Sequence, residues 1–415
     1  MERIIRCADI RFVKDLYPRI RPIDDVVERY RDALDNLPPI TVARDGILVD
    51  GYHRWQAHVR EGREEIRAEN LGNLSDAEII RESITRNASH GQQLSRQDKQ
   101  RMAAHLWAAL AHLPNSERIE EITQTLAVSR DAVERWTKDA RKSERDALQE
   151  RAWSLWLDCM SIRAIAAEIR GPDEDTIGRW LSAKTANAEF AEPPASRQHF
   201  DIWQFATADK DMGQQSYFGA LPPQVAENLL WFFTEPGQIV VDLFAGSGTV
   251  VDVAKAMGRR VWASDIRGNY YSPHLPIHFH DAAIGWPDGA PRKADLLFLD
   301  PPYWRQAAGR YSQQPGEMAE MDIGHFMQTW LSIVSYAVQH AERIAYIISP
   351  SVTEDASVVD HATAMLAAFV QIDWHVERRV IVPYQTQQSS GAQVEWARDN
   401  KRMLMLYRDL VVLRP

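Results

Sequence analysis

The 415-residue sequence predicts an α/β protein: a doubly wound sheet fills its C-terminal half, preceded by a small α/β unit and a helical region. Two observations carry this. After residue 238, short strands that are apolar throughout alternate with helix-compatible stretches, as strands of a parallel sheet covered on both faces require. Between residues 75 and 181 the pattern is almost wholly helical, and shorter strand-and-helix alternation lies before it.

Taken in chain order, Asp25 to Leu34 reads as a helix, and Pro39 to Ala43 and Gly46 to Asp50 read as strands. Gly51 then opens a helix directly after a strand, where free backbone N–H groups can hold an anion. An imperfect repeat follows, Ile119 to Trp136 and Ile162 to Trp180. Each copy gives a short amphipathic helix, a turn and a second helix, with Ser129 and Asp175 as caps. The first copy carries Arg130, Arg135 and Lys138 in or just after its second helix, suited to groove entry and phosphate contact. The second offers Arg179 and Lys184 but also Asp173, Glu174 and Asp175. Ser182 to His199, with Pro193 and Pro194, breaks both periodicities. The expected division is therefore 1–94, 95–185, a linker at 186–200, and 201–415.

The formal net charge of −10 excludes a protein that coats nucleic acid by bulk electrostatics, so DNA contact must use local basic patches. Two cysteines, Cys7 and Cys159, are too few for a disulfide framework or a cysteine zinc site, and no metal is expected. No apolar run is long enough to cross a bilayer and the N-terminus lacks a signal-peptide layout, so a cytoplasmic location is expected.

In the C-terminal half, strands are expected at Ile239 to Phe244, Arg260 to Asp265, Ile277 to His280, Ala294 to Asp300 and Ile344 to Ser349. Two more are expected at Val376 to Val382 and Arg402 to Tyr407. The run Asp242-Leu243-Phe244-Ala245-Gly246-Ser247-Gly248-Thr249 follows the first strand and precedes a helix. Its glycines allow a tight turn and a close backbone approach to a ligand. A third glycine and a Gly-Lys-Thr ending are both missing, which counts against a dinucleotide dehydrogenase and a P-loop NTPase. Asp265 ends the next strand, where a carboxylate can accept from ribose hydroxyls, and Asp281 ends the third, beside the expected adenine ring.

Asp300-Pro301-Pro302-Tyr303 ends the fourth strand. An exocyclic amine conjugated to an aromatic ring is a poor nucleophile because its lone pair is delocalised. Asp300 and the Pro301 carbonyl can accept its two hydrogens and localise that pair. Pro301 and Pro302 stiffen the turn, and Tyr303 offers a stacking face for a base removed from its helix.

The glycine run followed by Asp-Pro-Pro-Tyr resembles the amino-group DNA methyltransferases over Ile202 to Arg414. The resemblance implies a Rossmann-like domain, S-adenosylmethionine as donor, and Asp300 and Tyr303 as catalytic and base-stacking residues. It also implies a cofactor segment at Tyr217 to Pro223, with Phe218 as a wall against the methionine moiety. Asp-Pro-Pro-Tyr favours adenine N6 over cytosine N4. Transfer to cytosine carbon 5 needs a cysteine nucleophile, and neither cysteine lies near the catalytic turn in sequence. Arg305 and Arg310, in a Gln-, Gly- and Ser-rich stretch, are expected to gate the site and contact phosphates.

Val49 to Ala57 resembles the ParB/sulfiredoxin superfamily, over about Ile5 to Leu94, which implies a nucleotide phosphate contact at Gly51, His53 and Arg54. Asn87 to Gly91 corresponds to a second such segment. The chain departs from that family at Tyr52, where sulfiredoxins carry a reactive cysteine, and it lacks the Gly-Glu-Arg-Arg pattern of ParB. The expected partner is double-stranded DNA, with a homodimer compatible and no membrane. Alternatives are a ParB-like DNA-binding or clamp protein with an inactive methyltransferase domain, and an RNA methyltransferase. The two helix-turn-helix patterns favour duplex DNA over RNA.

Overall fold

The computed structural model describes residues 2–19, 24–89, 94–205, 212, 220–304, 318–353, 357–384 and 390–415. The chain divides into two compact units, Met1–Leu148 and Gln149–Pro415.

The first unit begins β1 (Glu2–Arg6), α1 (Asp24–Arg31), β2 (Ile40–Val42), β3 (Leu48–Asp50), α2 (Tyr52–Arg60) and β4 (Glu65–Asn70). These strands form a sheet in the order β1-β4-β2-β3. Helices α3 (Asp76–Ser89), α4 (Arg96–Ala109), α5 (Asn115–Leu126) and α6 (Arg130–Trp136) follow, then α7 (Lys138–Leu157), which runs on into the second unit. One buried cluster joins Val49 of β3 to Ile79 and Ile80 of α3, Met102 and Leu106 of α4, Ile122 of α5 and Val133 of α6. Packing is thus continuous across the expected boundary at 94/95, because the apolar stripes of these helices need a common partner. Ser129 caps α6 as expected, accepting from Ala132 N.

In the second unit come α8 (Ile162–Ile169), α9 (Glu174–Thr185), α10 (Pro223–Phe233), β5 (Ile239–Asp242), α11 (Thr249–Ala256), β6 (Arg260–Asp265), β7 (Ile277–Phe279) and β8 (Leu296–Leu299). They are followed by α12 (Ile323–His340), β9 (Ile344–Ile348), the hairpin β10 (Ser351–Val352) and β11 (Val358–Val359), α13 (His361–Val370), β12 (His375–Pro383), α14 (Gly391–Asp399) and β13 (Tyr407–Arg414). The seven-stranded sheet has the order β12-β13-β9-β8-β5-β6-β7. Strands β5 to β9 are parallel, and β13 is antiparallel to both β9 and β12.

Alternate strand residues feed two cores. Val241, Leu297, Tyr346 and Val411 pack with Trp330 and Phe369, while Val240, Phe298, Ile347 and Val412 pack with Val225, Leu229 and Val251. The period of two with both faces apolar is why these strands read as unbroken apolar runs.

Two expectations are corrected. The cap of α9 is Asp173, whose carboxylate accepts from Thr176 N at 2.7 Å, and not Asp175, which lies inside the first turn. The last strand is Tyr407–Arg414, not Arg402 to Tyr407. Its apolar residues are held between two strands, whereas Met403 is 91% exposed. Within the stretch 186–200, Phe190 stacks on Trp153 with centroids 5.5 Å apart, and Asn228 Oδ1 accepts from Gln198 N at 2.7 Å. A Cβ on Gly258 would lie 2.8 Å from the Phe190 ring, so the glycine makes the seat for that ring.

Phe190→Ala should therefore destabilise the second unit by about 2 kcal/mol, less than the ~3–5 typical of a fully buried phenylalanine because Phe190 is half-buried. Denaturant unfolding of the full chain checks this, and an unchanged midpoint would mean the stretch is a tether. Among the described residues no helix is long and apolar enough to cross a membrane.

Candidate active site

Chain order in the sheet reverses between β5 and β8: β6 and β7 build out to one side, β9 to the other. At such a switch point the loops leaving the carboxyl ends of neighbouring strands diverge and leave a crevice. A cavity lies there, lined by Asp242, Phe244, Ala245, Gly246, Ser247 and Thr249 from the glycine loop. Asp265, Asp281 and Asp300 to Tyr303 complete its wall from the ends of β6, β7 and β8. The structure so brings together the expected site residues of four strand ends. Gly248 does not line the cavity. It caps α11 with φ +84°, and a Cβ there would meet Leu275. Phe218, Arg305 and Arg310 lie outside the described residues, as do most of the stretch expected to gate the site and His90 and Gly91.

The loop is shaped by carboxylates. Asp242 Oδ1 accepts from Phe244 N at 3.0 Å. Asp265 accepts from Gly246 N at 3.0 Å and from Arg267 N at 2.9 Å, one bond on each oxygen. Asp281 caps the short turn after β7 by accepting from Ala283 N at 2.9 Å. A carboxylate has about four acceptor sites, so Asp265 and Asp281 retain capacity for hydroxyl or amine donors. Thr249 is buried at the start of α11, and its Oγ1 has no hydrogen-bond partner. That orphaned hydroxyl, with the carboxylates of Asp265 and Asp281 in the wall of the same cavity, suits a polar ligand with ribose hydroxyls such as S-adenosylmethionine.

Burial pushes Asp242 well above the ordinary carboxylate range, with Phe244 N opposing and the neighbouring Asp300 and Asp265 reinforcing. It pushes Asp300 up to about 7, opposed by the charge of Arg408 and a hydrogen bond from Tyr303. Tyr303 is buried and bonded within this group, with its hydroxyl turned inward to Asp300. Trp304 belongs to the same buried cluster and donates from Nε1 to the Met321 carbonyl at 2.8 Å.

Sequence reasoning missed several wall residues, among them Ile266, His280 and Met318, and it missed Arg408 behind the Asp300 to Tyr303 turn, whereas Leu221 of the wall lies in the expected cofactor segment. The only trace of Arg408 was a charged pair, Arg408-Asp409, opening an otherwise apolar run.

In the first unit, Gly51 takes φ +99° ahead of α2. Arg54 is buried, and its Nη2 donates to Asp50 Oδ2 at 2.7 Å. The guanidinium expected to meet a phosphate is thus already paired with a carboxylate. On α6, Arg130 pairs with Glu134 at 2.9 Å, while Arg135 and Lys138 are exposed.

A family profile described as DNA methylase matches residues 129–274, about a third of the chain, taking in the glycine loop and stopping short of Asp300. This match supports DNA methyltransferase activity in broad terms. No curated protein matches the sequence. Among solved structures, a cyclopropane-fatty-acyl-phospholipid synthase-like protein from Lactobacillus casei aligns at 11% identity with a TM-score of 0.32. The alignment covers 46% of this chain and 89% of that one. Chromosome-partitioning protein ParB from Caulobacter crescentus, truncated at its C-terminus and complexed to the centromeric parS site, aligns at 20% identity with a TM-score of 0.22. There 48% of this chain and 86% of that one are covered.

Proposed function

We propose that the chain transfers a methyl group from S-adenosylmethionine to the exocyclic amine of a base flipped out of duplex DNA, adenine N6 in preference to cytosine N4. One observation carries the proposal: the glycine loop, Asp265, Asp281 and Asp300 line a single cavity at the switch point of the sheet. Gly246, Thr249, Asp265 and Asp281 would hold the cofactor, which when bound supplies an electrophilic methyl group. Asp300 accepts a hydrogen of the target amine and takes the proton released on transfer, and the Pro301 carbonyl accepts the second hydrogen. Ionised Asp300 is the competent form, so transfer should rise with pH through about 7.

Incubation of the full chain with labelled cofactor and duplex DNA, followed by nucleoside analysis, tests this. N6-methyladenine is the expected product. N4-methylcytosine would revise the base, and transfer to RNA alone would overturn the DNA assignment.

DNA contact outside the catalytic unit is proposed to fall on the exposed Arg135 and Lys138. Changing both to alanine should weaken DNA binding and reduce the slope of log affinity against log salt by about 2, as loss of two phosphate contacts requires. Fluorescence anisotropy across a salt series reads that slope, and an unchanged slope would remove α6 from the interface.

A further inference from the structure

We propose that Arg408, the second residue of β13, is the positioning residue of the catalytic turn: its guanidinium binds the Tyr303 hydroxyl and stands as counter-charge to Asp300. The inference rests on the role given above to Asp300.

Topology brings Arg408 there. Because β13 runs antiparallel to β9, its first residues lie at the carboxyl edge of the parallel strands. Asp409 pairs with Ile348, so Arg408 stands beside Ser349, on the strand next to the one that ends in Asp300. Arg408 is 4% exposed, in a strand whose next residues after Asp409 are apolar. A buried guanidinium is costly unless paired.

Its surroundings differ from those of a packing arginine. Arg259, equally buried in the same unit, spends its donors on neighbouring backbone: Nη1 on the Met257 carbonyl at 2.7 Å and Nη2 on the Thr234 carbonyl at 2.8 Å. Its Nε goes to Thr234 Oγ1 at 3.2 Å. Arg408 instead lies 4.8 Å from the centre of the Tyr384 ring, hydrogen-bonds Tyr303, and leaves Nε without a hydrogen-bond partner. Tyr303 in turn bonds Asp300 and Tyr384, and Tyr384 bonds Ser349. Ser349 donates to the Tyr407 carbonyl at 3.1 Å, which closes the group back onto β13.

The groups that face Asp300 are Asp242 from β5, Tyr303 from its own turn, Tyr384 after β12 and Arg408 from β13. Asp265, His280 and Asp281 line the same cavity. Burial disfavours the carboxylate; Arg408 supplies the opposing positive charge.

Infrared difference titration of the ligand-free full chain reads Asp300 directly, its band assigned by loss in Asp300→Asn. Arg408→Met should raise the proton affinity of Asp300 by about tenfold or more. Arg408→Lys should recover part of this, since it keeps charge without the guanidinium fork. Tyr303→Phe should give a smaller rise, and its effect should shrink in the Arg408→Met background. With cofactor and DNA, the acid limb of kcat should move to higher pH in the same order while the KM for cofactor stays put. An unshifted Asp300 midpoint in Arg408→Met overturns the proposal, as does an unshifted midpoint in Tyr303→Phe should Arg408→Met fail to fold. A shifted midpoint in a chain that methylates no DNA would leave the positioning role standing and remove the functional reading.

Discussion

Asp300→Ala should lower methyl transfer by about 10²–10⁴-fold, the range for loss of a positioned proton acceptor, and leave cofactor affinity nearly unchanged. The carboxylate lies at the end of β8, whereas the loop and carboxylates assigned to the cofactor come from β5, β6 and β7. Single-turnover transfer and calorimetry on the same preparation separate the two effects. Retention of near-normal transfer would remove Asp300 from the chemistry, and a parallel collapse of cofactor binding would mean it shapes the cavity as a whole.

A second consequence concerns stability. Burial raises the carboxyl from 3.8 in the unfolded chain to about 7 when folded, so its contribution is fully present below the lower value and is lost as pH rises through about 7. Activity and stability should thus change in opposite directions over that window, and Asp300→Asn should flatten the stability profile there.

Asp242, which is buried, and Asp300, which is partly buried, share this end of the sheet, and their surroundings separate their roles. Asp242 is held well above the ordinary range and bonds the loop backbone at Phe244 N, which suits a neutral group that fixes the turn. Asp300 has Arg408 and Tyr303 working against burial, which keeps its ionised form within reach near neutral pH. The glycine loop and the catalytic turn occupy equivalent strand ends, but charge partners brought from β13 distinguish what they do.

Features fixed by a few adjacent residues were legible in the sequence. The doubly wound sheet, the glycine loop and the acids at strand ends all follow from apolar runs that stop at Gly, Pro or Asp. The cap of α9 was displaced by two residues because Asp173 and Asp175 are chemically equivalent there and the start of the helix decides between them. Phe190 looked like part of a loose segment because its partners, Trp153 and Gly258, lie far away in sequence. Arg408 was hidden for a related reason: the last strand was placed five residues early, and only its antiparallel insertion carries a strand start to the catalytic edge. The pairing of Arg54 with Asp50 needed no distant contact; four residues apart across a strand-to-helix turn, the two charges neutralise each other.

Gly246→Val should weaken S-adenosylmethionine binding by at least about 100-fold, or about 2.8 kcal/mol at ~1.4 kcal/mol per decade. Gly246 sits at φ +50°, where a β-branched residue is strained, its N–H holds Asp265, and it lines the cavity. A side chain there both occupies ligand space and loosens the Asp265 carboxylate. Gly248 two residues on also has positive φ, but it is absent from the cavity wall, and a Cβ on it would run into Leu275 behind the loop. Gly248→Ala should therefore act mainly through stability, lowering the unfolding midpoint, with affinity falling less than in Gly246→Val. Calorimetry and thermal unfolding of the two variants distinguish the cases. Equal losses of affinity at equal stability would mean that the loop binds as one rigid unit and that the division between its two glycines does not hold.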